Sequence, residues 1–169
     1  MSNRNMNLII EGLHVNISEG KTLSEKEASK MCGNEQNTSR YYNDKTGEWD
    51  LSEVNMFRGE SISGGKGTGR GSLGDGLYVT PSRKIAQYYA DGLSNGVVNQ
   101  YSISKQAKII SLDKLFDLGF DDYVSKYNKN PESLIRQFAL SKKIDGISSG
   151  GSDAEFVIFN TKIIKRVSE

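Results

Sequence analysis

Three short stretches of this sequence carry side chains able to do chemistry. In residues 54–59, VNMFRG, apolar residues bring Arg58 to the end of an expected strand, and Gly59 follows at once. A guanidinium stays charged and offers five donors in a planar fork, which suits a diphosphate or a ribose edge. The glycine beside it lets a ligand approach the backbone closely. The same hexapeptide also fits a surface arginine in an ion pair, a weak and common interaction. In residues 74–90, GDGLYVTPSRKIAQYYA, Tyr78 falls on a strand and Tyr89, eleven residues on, on a helix. Two such tyrosines can line one slot, or can pack as ordinary core residues. In residues 155–159, EFVIF, Glu155 opens an apolar strand and Asp153 precedes it by two residues. Alone, EFVIF reads as an edge strand with a solvated charge.

Other chemistry is poorly supported. With 22 Lys and Arg against 21 Asp and Glu, no overall field draws the chain to nucleic acid or an anionic membrane. The single cysteine, Cys32, excludes an internal disulfide, and with His14 as the one histidine a Cys/His zinc site lacks ligands. The same shortage leaves Cys32 without a histidine partner nearby to make it a nucleophile. The run ESISGGKGTGRGSLGDG before Leu77 holds Lys66 and Arg70 in a long glycine loop. It lacks the phosphate-loop spacing, and its glycines precede a strand rather than join a strand to a helix, so neither nucleotide fingerprint is met. Those two cations can meet phosphates of a nucleotide or RNA strand, or stay solvated. No segment approaches the roughly 18 apolar residues of a membrane span, and the N-terminus lacks a signal-peptide core. The expectation is a cytoplasmic protein without membrane contact.

The elements that must position these residues are partly encoded locally. Leu77, Tyr78 and Val79 are strand formers; Thr80 is expected to cap a helix whose first position is Pro81 and which Gly92 ends. Residues 97–103 alternate as a strand, and residues 107–110 add another. Residues 112–118 suggest a short helix. Asn130 is expected to cap a stronger one, with Pro131 and Glu132 in its first turn and Leu134, Ile135, Phe138 and Ala139 on its apolar face, ending near Lys143. Residues 144–148, 155–159 and 163–167 complete the strands. Before residue 50 the pattern is weak: residues 22–31 have capping-box spacing for a short helix, and residues 34–49 read as a loop anchored on its own core by Tyr41, Tyr42 and Trp49. A chain of 169 residues fits a single core. The expected organisation is α+β, with residues 1–50 a peripheral N-terminal extension and residues 51–169 the functional domain.

Taken in order, Arg58 closing FRG, Tyr78 in GDGLYVT with Tyr89 behind it, and Glu155 opening EFVIF resemble the ADP-ribosyltransferase superfamily. The closing stretch IDGISSGGSDAEFVIFNTKII is especially similar to the family's last motif, and the likeness spans residues 54–166. The tyrosine interval matches the poly(ADP-ribose) polymerase and diphtheria-toxin branch. The resemblance implies a split β-sheet core with flanking helices, NAD as co-substrate and no metal. It implies mono-ADP-ribosyl transfer from NAD to a macromolecular acceptor, either a protein side chain or a nucleic acid, with release of nicotinamide. A bacterial or phage toxin of this kind can have an antitoxin or immunity protein as partner.

On that resemblance Gly59 holds the nicotinamide carboxamide, Arg58 contacts the NAD ribose or phosphates, and Tyr78 and Tyr89 sandwich the ring while Ala86 gives it room. A cationic pyridinium stacks well on electron-rich faces. Glu155 holds the ribose 2′-hydroxyl and stabilises the cation formed as nicotinamide leaves; Asp153 positions or deprotonates the acceptor. The hydroxyl of Thr80 or of Ser82 can contribute to the site, although helix capping accounts for Thr80 without any function. The pattern is a hybrid, since the polymerase branch has histidine where this chain has Arg58 and the arginine branch has Ser-Thr-Ser where it has Tyr78, Val79 and Thr80. An NAD glycohydrolase on the same fold, or a silent module binding a nucleotide or peptide, stays open as an alternative.

Overall fold

In the computed structural model, the described residues are 14–15, 23–24, 36, 38–62, 69–71, 73–149 and 155–167. The architecture is α+β. In chain order the strands and helices are β1 (His14–Val15), β2 (Leu23–Ser24), β3 (Tyr42–Asn43), β4 (Glu48–Trp49), β5 (Met56–Ser61), β6 (Gly69–Gly71), β7 (Gly74–Val79), α1 (Arg83–Asp91), β8 (Gly96–Ile103), β9 (Ile109–Ser111), α2 (Leu112–Asp117), α3 (Phe120–Ser125), α4 (Pro131–Ser141), β10 (Gly146–Ser148), β11 (Phe156–Ile158) and β12 (Ile164–Arg166). Two short 3-10 turns, Ser39–Tyr41 and Thr161–Ile163, join them.

A seven-stranded sheet has the order β3-β4-β9-β10-β11-β7-β6, and a three-stranded sheet has the order β12-β8-β5. They meet at one place. Phe57 and Thr80 exchange both backbone hydrogen bonds, at 2.7 and 2.9 Å, which ties β5 to the end of β7. Two apolar layers fill the molecule. One holds Tyr78, Ile85, Tyr89, Val157 and the inner faces of α2, α3 and α4; the other holds Trp49, Met56, Val79, Phe156 and Ile158. Successive side chains on a strand point to opposite faces, so Tyr78 and Val79 enter different layers, as do Val157 and Phe156.

Helix α1 starts later than its sequence suggests. Thr80 is held in the bridge to Phe57, and a residue before proline is pushed out of the helical region; the helix therefore waits for Ser82, whose Oγ accepts from the Ile85 N–H at 3.2 Å. Thr80 Oγ1 accepts from the Ser82 N–H at 3.1 Å. Gly92 is the C-cap, as expected. The strong helix runs over Pro131–Ser141 behind Asn130, with Leu134, Ile135, Phe138 and Ala139 buried. Asn130 makes no side-chain cap bond there. β8, β9, α2, β10, β11 and β12 fall within a residue or two of their expected places.

The described residues of the first third depart from expectation. Residues 42–49 form a hairpin whose strand β4 pairs with β9, Trp49 lying opposite Ile109. The Trp49 indole N–H donates to Ser148 Oγ at 2.8 Å, and its ring meets Phe156 edge-on with centroids 5.0 Å apart. A boundary at residue 50 thus cuts through the sheet, and residues 42–49 are not peripheral. The helix expected over residues 22–31 is replaced at Leu23–Ser24 by a strand paired with His14–Val15; its other residues, and Cys32, lie outside the described ones. Among the described residues no helix is long and apolar enough to cross a membrane.

Candidate functional site

Arg58 lies inside β5, not at its end, because the strand continues to Ser61. It shares a face with Met56 and Glu60 by two-residue alternation. The residue is 2 % exposed. Nε donates to Glu60 Oε2 at 3.1 Å, an ion pair buried on both sides, and a terminal nitrogen donates to the Tyr78 carbonyl at 3.0 Å. The arginine thus reaches across the junction between the sheets, one residue beyond the Phe57–Thr80 bridge. Behind it Glu60 Oε1 accepts from the Tyr101 hydroxyl at 2.7 Å and from Asn99 Nδ2, while Arg166 donates to Asn99 Oδ1 at 2.9 Å. Burial, with the Glu60 charge beside it, pushes the Tyr101 hydroxyl well above the usual tyrosine range.

Gly59 faces the opposite way, under α1. A Cβ built there would collide with the Ala86 carbonyl and stand 2.6 Å from the Ala90 nitrogen. Glycine here lets helix backbone settle directly onto strand backbone, and Ala86 is the small residue on the helix side of that contact. The Gly59 N–H and C=O point the same way as those of Phe57, two residues earlier, toward β7. Tyr78 and Tyr89 come into one apolar layer, both 0 % exposed. The Tyr78 hydroxyl donates to the Gly74 carbonyl. Tyr88 is partly buried and meets Tyr89 edge-on at 5.7 Å.

Glu155 stands directly before β11. β11 pairs antiparallel with β7, Phe156 opposite Val79 and Val157 opposite Tyr78, so one more step of the register sets Glu155 opposite Thr80. Its side chain shares the face of Val157 and Tyr78. The residue is 1 % exposed, and among the described residues Oε2 has no hydrogen-bond partner. Burial alone holds its pKa well above the ordinary 4.5, since a carboxylate without compensation is costly in a low-dielectric interior. Buried polar atoms in native proteins are nearly always bonded, and an orphan among them calls for a ligand, an ion or a catalytic role.

Residues drawn from positions 58, 78 and 155 thus come onto β5, β7 and the start of β11, with Thr80 at their meeting point. Asp153 and Lys66 lie outside the described residues. Sequence reading passed over Glu60, Asn99 and Tyr101. The signal was available, since Arg58 and Glu60 are two apart on one strand and must share a face. Among the described residues no group of three or more His, Cys, Asp or Glu side chains could hold a metal. No protein-family model, curated protein or solved structure matches this chain.

Proposed function

We propose that this chain is an NAD-dependent mono-ADP-ribosyltransferase with the split-sheet core that its motifs resemble. The observation that carries the reading is Glu155, a buried carboxyl with an oxygen unpartnered among the described residues, one strand from Tyr78 and opposite Thr80. The bond that breaks joins the ribose C1′ to the nicotinamide nitrogen; its electron pair leaves with nicotinamide, and positive charge develops at C1′. A fixed carboxylate at that point stabilises the cation, and does so strongly where water is excluded. The acceptor then forms its bond to C1′ and gives up its proton, the step for which the resemblance supplies Asp153.

A burial-raised pKa suits this sequence of events. Burial disfavours the charged form of the Glu155 carboxyl, and a cationic nicotinamide ring beside it would favour that form. Tyr78 and Tyr89 supply aromatic faces in the same layer. Arg58, clasped by Glu60 and bonded to the Tyr78 carbonyl, holds the strand that carries Tyr78.

The test is incubation of the protein with NAD labelled in its ADP-ribose half and a cell lysate. Label on a macromolecule that is lost with Glu155→Gln is the expected result, and protease or nuclease digestion then names the acceptor class. Free labelled ADP-ribose with no labelled macromolecule would make the protein a glycohydrolase. NAD left intact would sink both readings.

A further inference from the structure

The register of the larger sheet places a second hydroxyl residue beside Glu155. β10 pairs with β11, Ile147 opposite Val157 and Ser148 opposite Phe156, so one more step sets Ser149 opposite Glu155. On its other side Glu155 lies opposite Thr80, by the same step beyond Phe156 and Val79. The contacts agree with the faces this assigns. Ile147, Val157 and Tyr78 enter the apolar layer that α1 and α4 cover, whereas Ser148 Oγ, on the opposite face, accepts from the Trp49 indole. By alternation Ser149, Glu155 and Thr80 all face the layer that holds Tyr78 and Tyr89. Three neighbouring strands thus present hydroxyl, carboxyl and hydroxyl in one row, next to the apolar row of Ile147, Val157 and Tyr78.

The two hydroxyls are not equivalent. Thr80 exchanges both backbone bonds with Phe57, and its Oγ1 accepts from the Ser82 N–H at 3.1 Å. It is committed to the turn into α1. Ser149 follows the last residue of β10 and, at 8 % exposed, keeps some contact with solvent. Residues directly opposite on antiparallel strands have Cβ atoms about 4.5–5.5 Å apart, close enough for one small group to touch both side chains. Glu155 Oε2 has no partner among the described residues, so it is not bonded to Ser149. A buried carboxyl oxygen and a hydroxyl this close, unbonded to each other, match a ligand that brings two adjacent polar atoms.

We infer that Ser149 and Glu155 together grip the cis-diol of the nicotinamide ribose, Glu155 taking the 2′-hydroxyl and Ser149 the 3′-hydroxyl, and that Ser149 thereby selects against sugars lacking that hydroxyl. The inference rests on the transferase reading. An ionised carboxylate only accepts hydrogen bonds, whereas a serine hydroxyl both gives and takes one. The pair therefore suits a first hydroxyl that must donate and a second that can do either. Two points of attachment hold the ribose, and with it C1′, at a set place relative to the carboxylate, where one would leave it free to turn. A site built to bond a substrate hydroxyl rejects the analogue without it, because its own polar group is then left unpaired.

The test compares NAD with its analogue lacking the 3′-hydroxyl on the nicotinamide ribose, for the native chain, Ser149→Ala and Ser149→Thr, each shown to be folded by its melting transition. Two quantities are read: kcat/KM for nicotinamide release, and affinity by titration calorimetry. The native protein should favour NAD over the analogue about tenfold or more in both. Ser149→Ala should lose that preference, NAD falling to the level of the analogue while the analogue itself is handled as by the native protein. Ser149→Thr, which keeps the hydroxyl, should retain the preference. Nicotinamide release with a preference equal in native and Ser149→Ala protein, or both ligands weakened alike, would overturn the inference and leave the transferase intact. NAD bound but not cleaved would sink the transferase, while an affinity preference abolished by Ser149→Ala would still support the diol grip. Binding of neither ligand would overturn both.

Discussion

A carboxyl group buried as Glu155 is, with one oxygen unpartnered, weakens the fold that holds it, and that cost has a pH signature. Because its folded pKa lies above the ordinary 4.5, the native state binds more protons than the unfolded chain at pH values between the two. The contribution of Glu155 to stability is therefore greatest below the ordinary value and falls as pH rises through that window. Glu155→Gln removes the titration. Its stability should not show that fall, so above the window the variant should melt at a higher temperature than the native protein in a scanning-calorimetry series. The same substitution should slow NAD cleavage about a hundredfold or more, the scale seen when one electrostatic stabiliser is lost. Higher stability with lower activity would separate a site residue from a structural one. At this scale the sequence was informative about which residues matter and poor about what they touch. EFVIF pointed to Glu155, but no pattern reveals that an oxygen is buried without a partner. Arg58 read as a strand-end donor for a ligand, whereas Glu60 and the Tyr78 carbonyl hold it inside the protein.

At the scale of elements, α1 is seated on glycines. The missing side chain at Gly59 is filled by the Ala86 carbonyl and Ala90 nitrogen, and a Cβ at Gly96 would collide with the Ala90 carbonyl and lie 2.9 Å from the Ala90 Cα. Gly59→Ala must lift the helix from both strands. A loss of about 1–3 kcal/mol, as for other overpacked contacts, is expected in urea unfolding. An unchanged midpoint would show that the helix does not sit on Gly59. Local signals were enough for α4, whose apolar positions and Pro131 agree with its packing, and for the period-two pattern of β8. They misplaced the start of α1 by two residues, because a tertiary bridge to Phe57 fixes Thr80 in an extended conformation. Gly59 shows the same limit, since its neighbour from α1 comes from nearly thirty residues away.

For the whole molecule, the seven-stranded sheet depends on its first hairpin. Trp49 fills the layer between β4 and β11, and its indole N–H ends on Ser148. A chain beginning at residue 51 loses that ring and leaves one edge of β9 unpaired. It is expected to lose cooperative unfolding in urea, whereas native-like unfolding would restore residue 51 as a domain boundary. Ser148→Ala tests the same contact in the full chain, with about 1–3 kcal/mol lost for a buried donor left unpaired. Residues 34–49 gave little periodicity because strands of two residues leave no pattern to read. Their aromatic residues were the better guide, and Tyr42 does stack near Trp49, with centroids 4.6 Å apart. The three motif strands, widely spaced in the chain, meet where β5 joins β7, an arrangement that only the paired sheets bring about.

The central claim is that Glu155 serves the cleavage of NAD at its nicotinamide bond. Its most direct test is the initial rate of nicotinamide release from NAD by the purified native chain and by Glu155→Gln, both shown to be folded by their melting transitions. The account expects release by the native protein and at least a hundredfold slower release by the variant. A folded native protein that releases none, or a variant as fast as native, would contradict it.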